Sequence, residues 1–393
     1  MPYRVYLKKK EDRRLRQGHA WVYANEVERI EGEGKNGDLA TVYDHAGRFI
    51  GKGYLNHVSK ILVRIFIRDD SEPTKELFRS RIAAANAYRE RLGYENCYRM
   101  VFAEADDLPA LIVDRYDDVL CIQILSLGME LRRDWIVESL VELFHPRGIY
   151  ERSDAAVRKK EGLPLRKGPV WGEFDPRVPI RENGLRMIAD LENGQKTGYF
   201  LDQKSNRLAL RRYAAEGSVL DCFCNVGGFA LNAAAAGAEE VLALDISQKA
   251  LDDVAENARL NGLEKIVTPV CGDVFEVLRR YKKEGRRFDT VVLDPPAFCK
   301  TANEVPAAYR GYKDINLLGI KLVKPGGFLV TSSCSHYMSA ALFEKMLREA
   351  GNESGRRLRL VEMRTQGADH PALLAADETT YLKFYVLQVL DFH

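Results

Sequence analysis

The sequence predicts an α/β protein whose second half is a doubly wound, mostly parallel sheet, preceded by a small β-barrel and a middle β-β-α-β series. Three observations carry this expectation. From Ser218 to Ser333 short apolar runs alternate with helical periods, the pattern of βαβ units. The first of these runs turns at Gly227 and Gly228 into a helix of small residues, and the next run closes on Asp245. Residues 1–70 instead break into short strands separated by glycine turns, the spacing of a barrel.

The barrel strands are expected at Ala20 to Tyr23, Leu39 to Tyr43, Arg48 to Tyr54 and Ile61 to Phe66. A basic segment, Lys8-Lys9-Lys10 then Arg13, Arg14 and Arg16, leads into Gly18-His19-Ala20-Trp21. Residues 1–16 hold seven basic and two acidic side chains, a local balance that suits phosphate contacts as well as a solvated surface. Trp21 and Tyr23 fit either RNA or a core.

A connector helix follows from Glu76 to Leu92, with Leu77, Phe78, Ile82 and Ala85 on one face. A strand Met100 to Ala103 precedes the middle series, which comprises the hairpin strands Ala110 to Asp114 and Val119 to Leu125, a helix Met129 to Phe144, and a strand Gly148 to Glu151. The segment Phe102 to Pro109 carries Glu104, Asp106 and Asp107, read as a polar turn rather than metal ligands because no histidine adjoins it. Residues 152–186 hold nine basic and five acidic side chains and four prolines, Pro164, Pro169, Pro176 and Pro179, as expected of a linker or extended hairpin. Strand-like polarity returns from Leu185 to Phe200, and Gly194 to Gln203 turns into a helix reaching Tyr213. The aromatic pair Tyr199-Phe200 would close over a cofactor or anchor a core.

Beyond the opening strand, Val219 to Asp221, helices are expected at Ser247 to Asn261, up to Tyr281, Ala307 to Val323 and Ser339 to Ala350. The interleaved strands are Ile266 to Cys271, Phe288 to Leu293 and Gly327 to Ser333, with Leu358 to Thr365 and Tyr381 to Leu390 last. At 393 residues the chain exceeds one usual core. It has no run of 18 apolar residues and opens on charge, so the expectation is a cytoplasmic protein with no membrane partner. Seven cysteines, without C-x-x-C spacing, are expected to be reduced thiols and not a zinc site.

Asp221, Asp245, Asp273 and Asp294 each close an expected strand, where a doubly wound sheet binds ligands. An acid at the mouth of the glycine turn repels phosphate, which argues against a dinucleotide, and suits the cationic amino-acid end of S-adenosylmethionine. Asp221 would then face the amino acid, Asp245 the ribose and Asp273 the adenine amine. Asp294-Pro295-Pro296 sets a stiffened acid at the substrate rim. Enzymes that methylate base amines place an aromatic after such prolines; here Ala297 intervenes.

Cys334, at the end of the next strand, points to pyrimidine C5 chemistry. Thiolate addition to C6 makes carbon 5 an enamine nucleophile, and a flipped base would bring it within reach. The bland alternative is a small buried hydrophobe. Asp294 would hydrogen-bond the base at N3 or its amine, His336 would assist the thiol, and Cys299 is read as structural.

With these residues in place, the chain resembles the PUA-containing family of class I, S-adenosylmethionine-dependent large-subunit ribosomal RNA cytosine-5 methyltransferases. The resemblance rests on Gly18-His19-x-Trp21, Glu104 to Asp118, Thr197 to Arg207, Asp221 to Ala230, Asp294 to Phe298 and Ser333-Cys334-Ser335. It implies a PUA-like RNA-binding barrel over 1–70, a connector and middle β-β-α-β-β domain with a basic linker over 71–193, and a class I methyltransferase domain with a Rossmann-like sheet over 194–393. Cys334 and Asp294 would be catalytic. Phe200, Asp221, Gly227, Asp245, Ile246, Asp273, Val274 and Asp294 would hold S-adenosylmethionine, with ribosomal RNA as the partner. Related enzymes carry a second cysteine in the D-P-P loop, where this chain has Pro296-Ala297, and often a threonine before the glycines, where it has Asn225-Val226. The base that removes the C5 proton is therefore unnamed. The target nucleotide and the oligomeric state, a homodimer included, stay open, as do base-amine or uracil-C5 methylation and a non-catalytic RNA-binding scaffold.

Overall fold

The structure, a computed structural model, describes residues 2–391 and divides into two compact units. The first holds the chain up to Ile180 with Ala189–Asp202 and Ala368–Thr379; the second holds Arg181–Ile188, Gln203–Gly367 and the chain from Thr380 on.

The first unit begins with six strands, β1 (Tyr3–Leu7), β2 (Trp21–Tyr23), β3 (Val27–Glu31), β4 (Leu39–Tyr43), β5 (Phe49–Leu55) and β6 (Ile61–Ile67). They form one sheet in the order β2-β6-β5-β4-β1-β3 around a core that includes Val5, Leu7, Val22, Val42, Leu55 and Val63. β1 and β3 were not expected. β1 alternates Tyr3, Val5 and Leu7 inward, whereas β3 is an edge strand whose side chains are mostly exposed, so it lacks the apolar signal. At Gly53 a Cβ would collide with the Arg64 carbonyl, and only glycine permits β5 and β6 to approach so closely.

The basic segment divides in two. Arg14, on the short helix α1 (Arg13–Arg16), donates to the Trp21 carbonyl at 3.0 Å and to Glu26 at 2.8 Å, and Arg16 bonds Asp12 and Asp44. Trp21 donates its indole N–H to Glu104 Oε1 at 2.7 Å, so it serves the fold. Lys8, Lys9, Lys10 and Arg13 lie exposed.

Helix α2 (Lys75–Arg91), capped by Thr74, packs against a five-stranded sheet in the order β11-β10-β9-β8-β7. These strands are β7 (Cys97–Phe102), β8 (Leu111–Tyr116), β9 (Val119–Ile124), β10 (Gly148–Glu151) and β11 (Gly168–Trp171). The single helix expected over 129–144 is two, α3 (Leu127–Glu130) and α4 (Arg133–Phe144). The acidic turn is structural: Asp106 accepts from both terminal nitrogens of buried Arg89, at 2.5 and 2.8 Å. Within the proline-rich stretch, α5 (Val157–Lys160) precedes β11, an edge strand that tolerates Pro169. Strands β12 (Arg177–Glu182) and β13 (Leu185–Asp190) then form a hairpin. The strand polarity expected to reach Phe200 ends at Asp190, beyond which the backbone turns.

The second unit is a seven-stranded sheet in the order β16-β15-β14-β17-β18-β20-β19. In chain order its elements are α6 (Lys204–Ala214), β14 (Ser218–Cys222), α7 (Gly228–Ala235), β15 (Glu240–Asp245), α8 (Gln248–Leu260), β16 (Val267–Cys271), α9 (Val274–Lys283), β17 (Phe288–Leu293), α10 (Val305–Leu322), β18 (Val323–Ser333), α11 (Ala340–Ser354), β19 (Arg356–Arg364) and β20 (Lys383–Asp391). Strands β14 to β18 pair in parallel, and β20 pairs antiparallel with β18 and β19. Strand order reverses between β14 and β17, which opens a crevice at their carboxyl ends. No helix among the described residues is long and apolar enough to cross a membrane.

Helix α6 is anchored by a buried ion pair, Arg207 Nε and Nη2 to the Glu182 carboxylate at 2.5 and 2.7 Å. Removing one partner of such a pair strands a buried charge. Glu182→Ala should therefore cost about 3–5 kcal/mol in urea unfolding, and a loss below about 1 kcal/mol would show that the pair contributes little.

Candidate active site

The crevice is built around the turn after β14. Phe223, Asn225 and Gly227 have φ of 63°, 49° and 87°, three left-handed residues in a five-residue span. For a phenylalanine this is a strained conformation, kept only where the surroundings over-determine it. They do so here: Asn225 N–H donates to Asp245 Oδ2 at 3.0 Å, Cys224 N–H to the Leu244 carbonyl at 3.1 Å, and Asn257 Nδ2 to the Val226 carbonyl at 3.0 Å. Asp245 Oδ1 takes the Ser247 N–H at 2.9 Å, so one carboxylate braces both loops of the crevice.

Asp221 lies one residue inside its strand, which runs on to Cys222, and is fully buried. Its Oδ2 accepts from the Ala230 N–H in the first turn of α7 at 2.9 Å. Its Oδ1 is buried with no hydrogen-bond partner among the described residues. Burial pushes this carboxyl well above the usual range; the Ala230 N–H pulls it down, and the charges of Asp294 and Asp245 push it further up. A cation beside the orphaned oxygen would satisfy it and draw the carboxyl back towards its ionised form.

Of the other cofactor-side candidates, Asp273 caps α9 by accepting from Glu276 N–H at 3.1 Å. Val274 is buried behind it, and Ile246 is 69% exposed beyond Asp245. Phe200 belongs to the first unit, with Lys196 Nζ 4.6 Å from its ring centroid.

Asp294 follows β17 directly. Its Oδ1 accepts from Gln203 Nε2 at 2.9 Å and from the Ser332 hydroxyl. The bonding behind it is directional. Arg364 Nε donates to Asn206 Oδ1 at 2.9 Å, which leaves Asn206 Nδ2 to donate to Gln203 Oε1 at 2.7 Å and Gln203 Nε2 to face Asp294. Asp294 is thereby held as an acceptor.

Cys334 stands half-buried just past β18, the strand that pairs with β17. Flanking serines fix its backbone: Ser333 Oγ donates to Tyr312 Oη at 3.0 Å, and Tyr312 Oη and Ser335 Oγ bond at 2.9 Å. Cys299 is buried in the core, its thiol against the Thr301 carbonyl. His336 is exposed and packs edge-on against Tyr337. Among the described residues no cluster of three or more His, Cys, Asp or Glu could hold a metal ion.

Gln203, Asn206 and Ser332 escaped sequence reasoning, as did Lys383, which pairs opposite Ser333 and bonds the Ser335 carbonyl, on either side of Cys334. The readable signal for Lys383 was a lone charge at the head of an apolar run, Lys383 to Leu387.

Comparison with known proteins gives a PUA-like domain over residues 5–68 and an S-adenosylmethionine-dependent methyltransferase domain over residues 162–385. The chain is similar to ribosomal RNA large subunit methyltransferase I of Klebsiella pneumoniae strain 342, 40% identical with 98% of each chain covered. It is 39% identical to the protein of that name in Escherichia coli strain SMS-3-5, over 99% of this chain and 100% of that one. A methyltransferase crystallised with S-adenosylhomocysteine superposes with a TM-score of 0.86 at 19% identity, over 99% of this chain and 100% of that one.

The residues fit the methyl donor. Asp221 Oδ1 is an unsatisfied acceptor that an amino-acid ammonium would satisfy, and the turn at Gly227 and the Asp245 carboxylate lie beside it. Asp221→Asn should weaken S-adenosylmethionine binding about ten- to a hundredfold by calorimetry, the value of one charged hydrogen bond. The same change should not lower the melting temperature of the donor-free protein. A buried acid with a raised pKa destabilises the fold as pH rises above its unfolded value, and asparagine removes that cost.

Proposed function

The chain belongs to the S-adenosylmethionine-dependent methyltransferase family, and we propose that it methylates C5 of a cytosine in large-subunit ribosomal RNA through a Cys334 thiolate that adds to C6. Large-subunit ribosomal RNA is the substrate class named for its 40% identical relative. The observation that carries the C5 reading is the half-buried thiol of Cys334, at the end of the strand adjoining that of Asp294.

The donor contributes an electrophilic methyl, released when its S–CH3 bond breaks with the electron pair left on sulfur. The chain's own residues do the rest. Asp221 binds the donor's ammonium, and Asp245 its ribose hydroxyls. Asp273 meets the adenine amine, with Ile246 and Val274 as apolar neighbours of the base. Asp294, fixed as an acceptor by Gln203 and Ser332, receives a hydrogen bond from the cytosine amine or protonated N3 and stabilises the electron-rich ring. The Cys334 thiolate forms the S–C6 bond, the C5=C6 π pair moves to C5, and C5 takes the methyl. A base then removes the C5 proton, the C5=C6 bond re-forms, and the C6–S bond breaks to return the thiolate.

Transfer of labelled methyl from S-adenosylmethionine to ribosomal RNA tests the thiol. Cys334→Ala should lose at least about a hundredfold in rate; retained transfer would remove Cys334 from the chemistry. The exposed Lys9, Lys10 and Arg13 of the PUA-like barrel are assigned to phosphate binding. Replacing all three by alanine should weaken RNA binding and flatten its salt dependence by about 0.7 log units for each phosphate no longer neutralised. An unchanged slope would put the RNA elsewhere.

A further inference from the structure

Lys383 opens β20 opposite Ser333, the residue before Cys334, in the antiparallel pairing of β18 and β20. Its half-buried ammonium donates to the Ser335 carbonyl at 2.7 Å and to the Tyr381 carbonyl at 2.8 Å. An ammonium has three protons, and these two carbonyls use two. Among the described residues it bonds no carboxylate. A lysine with only a structural task at a strand end would reach for water; this one is folded back on the loop that carries the thiol.

We propose that Lys383 is a positioning residue for the methyl transfer, its ammonium holding the Cys334 sulfur as a thiolate beside the base pocket. The inference rests on the thiolate reading of Cys334. The electrostatics agree with the geometry: burial brings Lys383 down to about 8, and the one opposing influence is the charge of Cys334. At neutral pH the side chain remains a cation. An ammonium next to a sulfur favours its ionised form, as at reactive cysteines generally. Three other titratable groups lie on the helix packed against β18, at the adjoining strand end or within two residues of the thiol. Tyr312 on α10, pushed up chiefly by burial, stays a neutral hydroxyl bonded to Ser333 and Ser335. Asp294 is turned to Gln203 and Ser332, and His336 is exposed. None of them supplies the charge that Lys383 does. The lysine forms no covalent bond and consumes no proton in the cycle. Its task is to keep ionised the sulfur that adds to C6 and leaves again.

The pH profile of Cys334 alkylation by iodoacetamide, followed by mass spectrometry of its peptide in the full-length chain, reads the thiolate without RNA. Lys383→Gln should move the profile to higher pH and slow alkylation at pH 7 about tenfold, since one pH unit in midpoint is tenfold in thiolate. Lys383→Arg, which keeps the charge, should restore it. A profile that Lys383→Gln leaves in place overturns the inference. A second measurement needs no change at position 383: in Cys334→Ala, competitive amine labelling should find Lys383 titrating at lower pH than in the unaltered chain. A Lys383 titration unmoved by that change also overturns the pairing. Both readouts concern the protein alone, whereas methylation of RNA by Cys334→Ala would be failure of the underlying reading.

Discussion

A carboxylate buried at the centre of a parallel sheet is the constraint on which the second unit depends. Asp221 is fully buried between β15 and β17, and one oxygen is satisfied by the first turn of α7 while the other is not. Leaving such an oxygen unpaired costs about 1–3 kcal/mol, a cost that a bound cation would remove. The strained turn at Phe223 and Asn225 follows the same strand and is braced by Asp245. Stability is given up locally to hold a position of defined charge.

The neighbouring strand ends are built differently. Around Asp294 and Cys334 the polar groups are paired into a directional chain from Arg364 through Asn206 and Gln203, and into a serine–tyrosine cluster around the thiol. Such a network fixes which groups donate and which accept before any base arrives, and preorganisation of this kind is where much of an enzyme's electrostatic advantage lies. Lys383 extends the same logic to the sulfur. In the proposed reading, donor side and base side thus share one sheet edge but use opposite devices, an unpartnered carboxyl oxygen on one and paired polar groups on the other.

What could be read in the chain follows from periodicity and chemistry. The strands Leu39–Tyr43, Gly148–Glu151 and Phe288–Leu293 are apolar enough to be bounded by eye, and the acids that follow the parallel strands stand out because packing alone does not explain them. Edge strands were harder. β3 is mostly exposed, and β11 contains a proline, since an edge has one unpaired side and tolerates both. The Gln203 and Lys383 contacts were illegible for another reason: each joins segments more than 45 residues apart, and only the sheet order brings them together. Asp221 was legible as an acid at a glycine turn, yet its burial and its orphaned oxygen were not.

The central claim, that a Cys334 thiolate attacks a cytosine, is tested most directly by incubating the protein and S-adenosylmethionine with ribosomal RNA carrying 5-fluorocytidine. Fluorine at C5 cannot leave as a cation, so an adduct at C6 that has accepted the methyl cannot resolve. The account predicts a covalent protein–RNA complex that requires the donor and is absent in Cys334→Ala. Methylation of ordinary RNA with no trapped complex on the fluorinated one would contradict it.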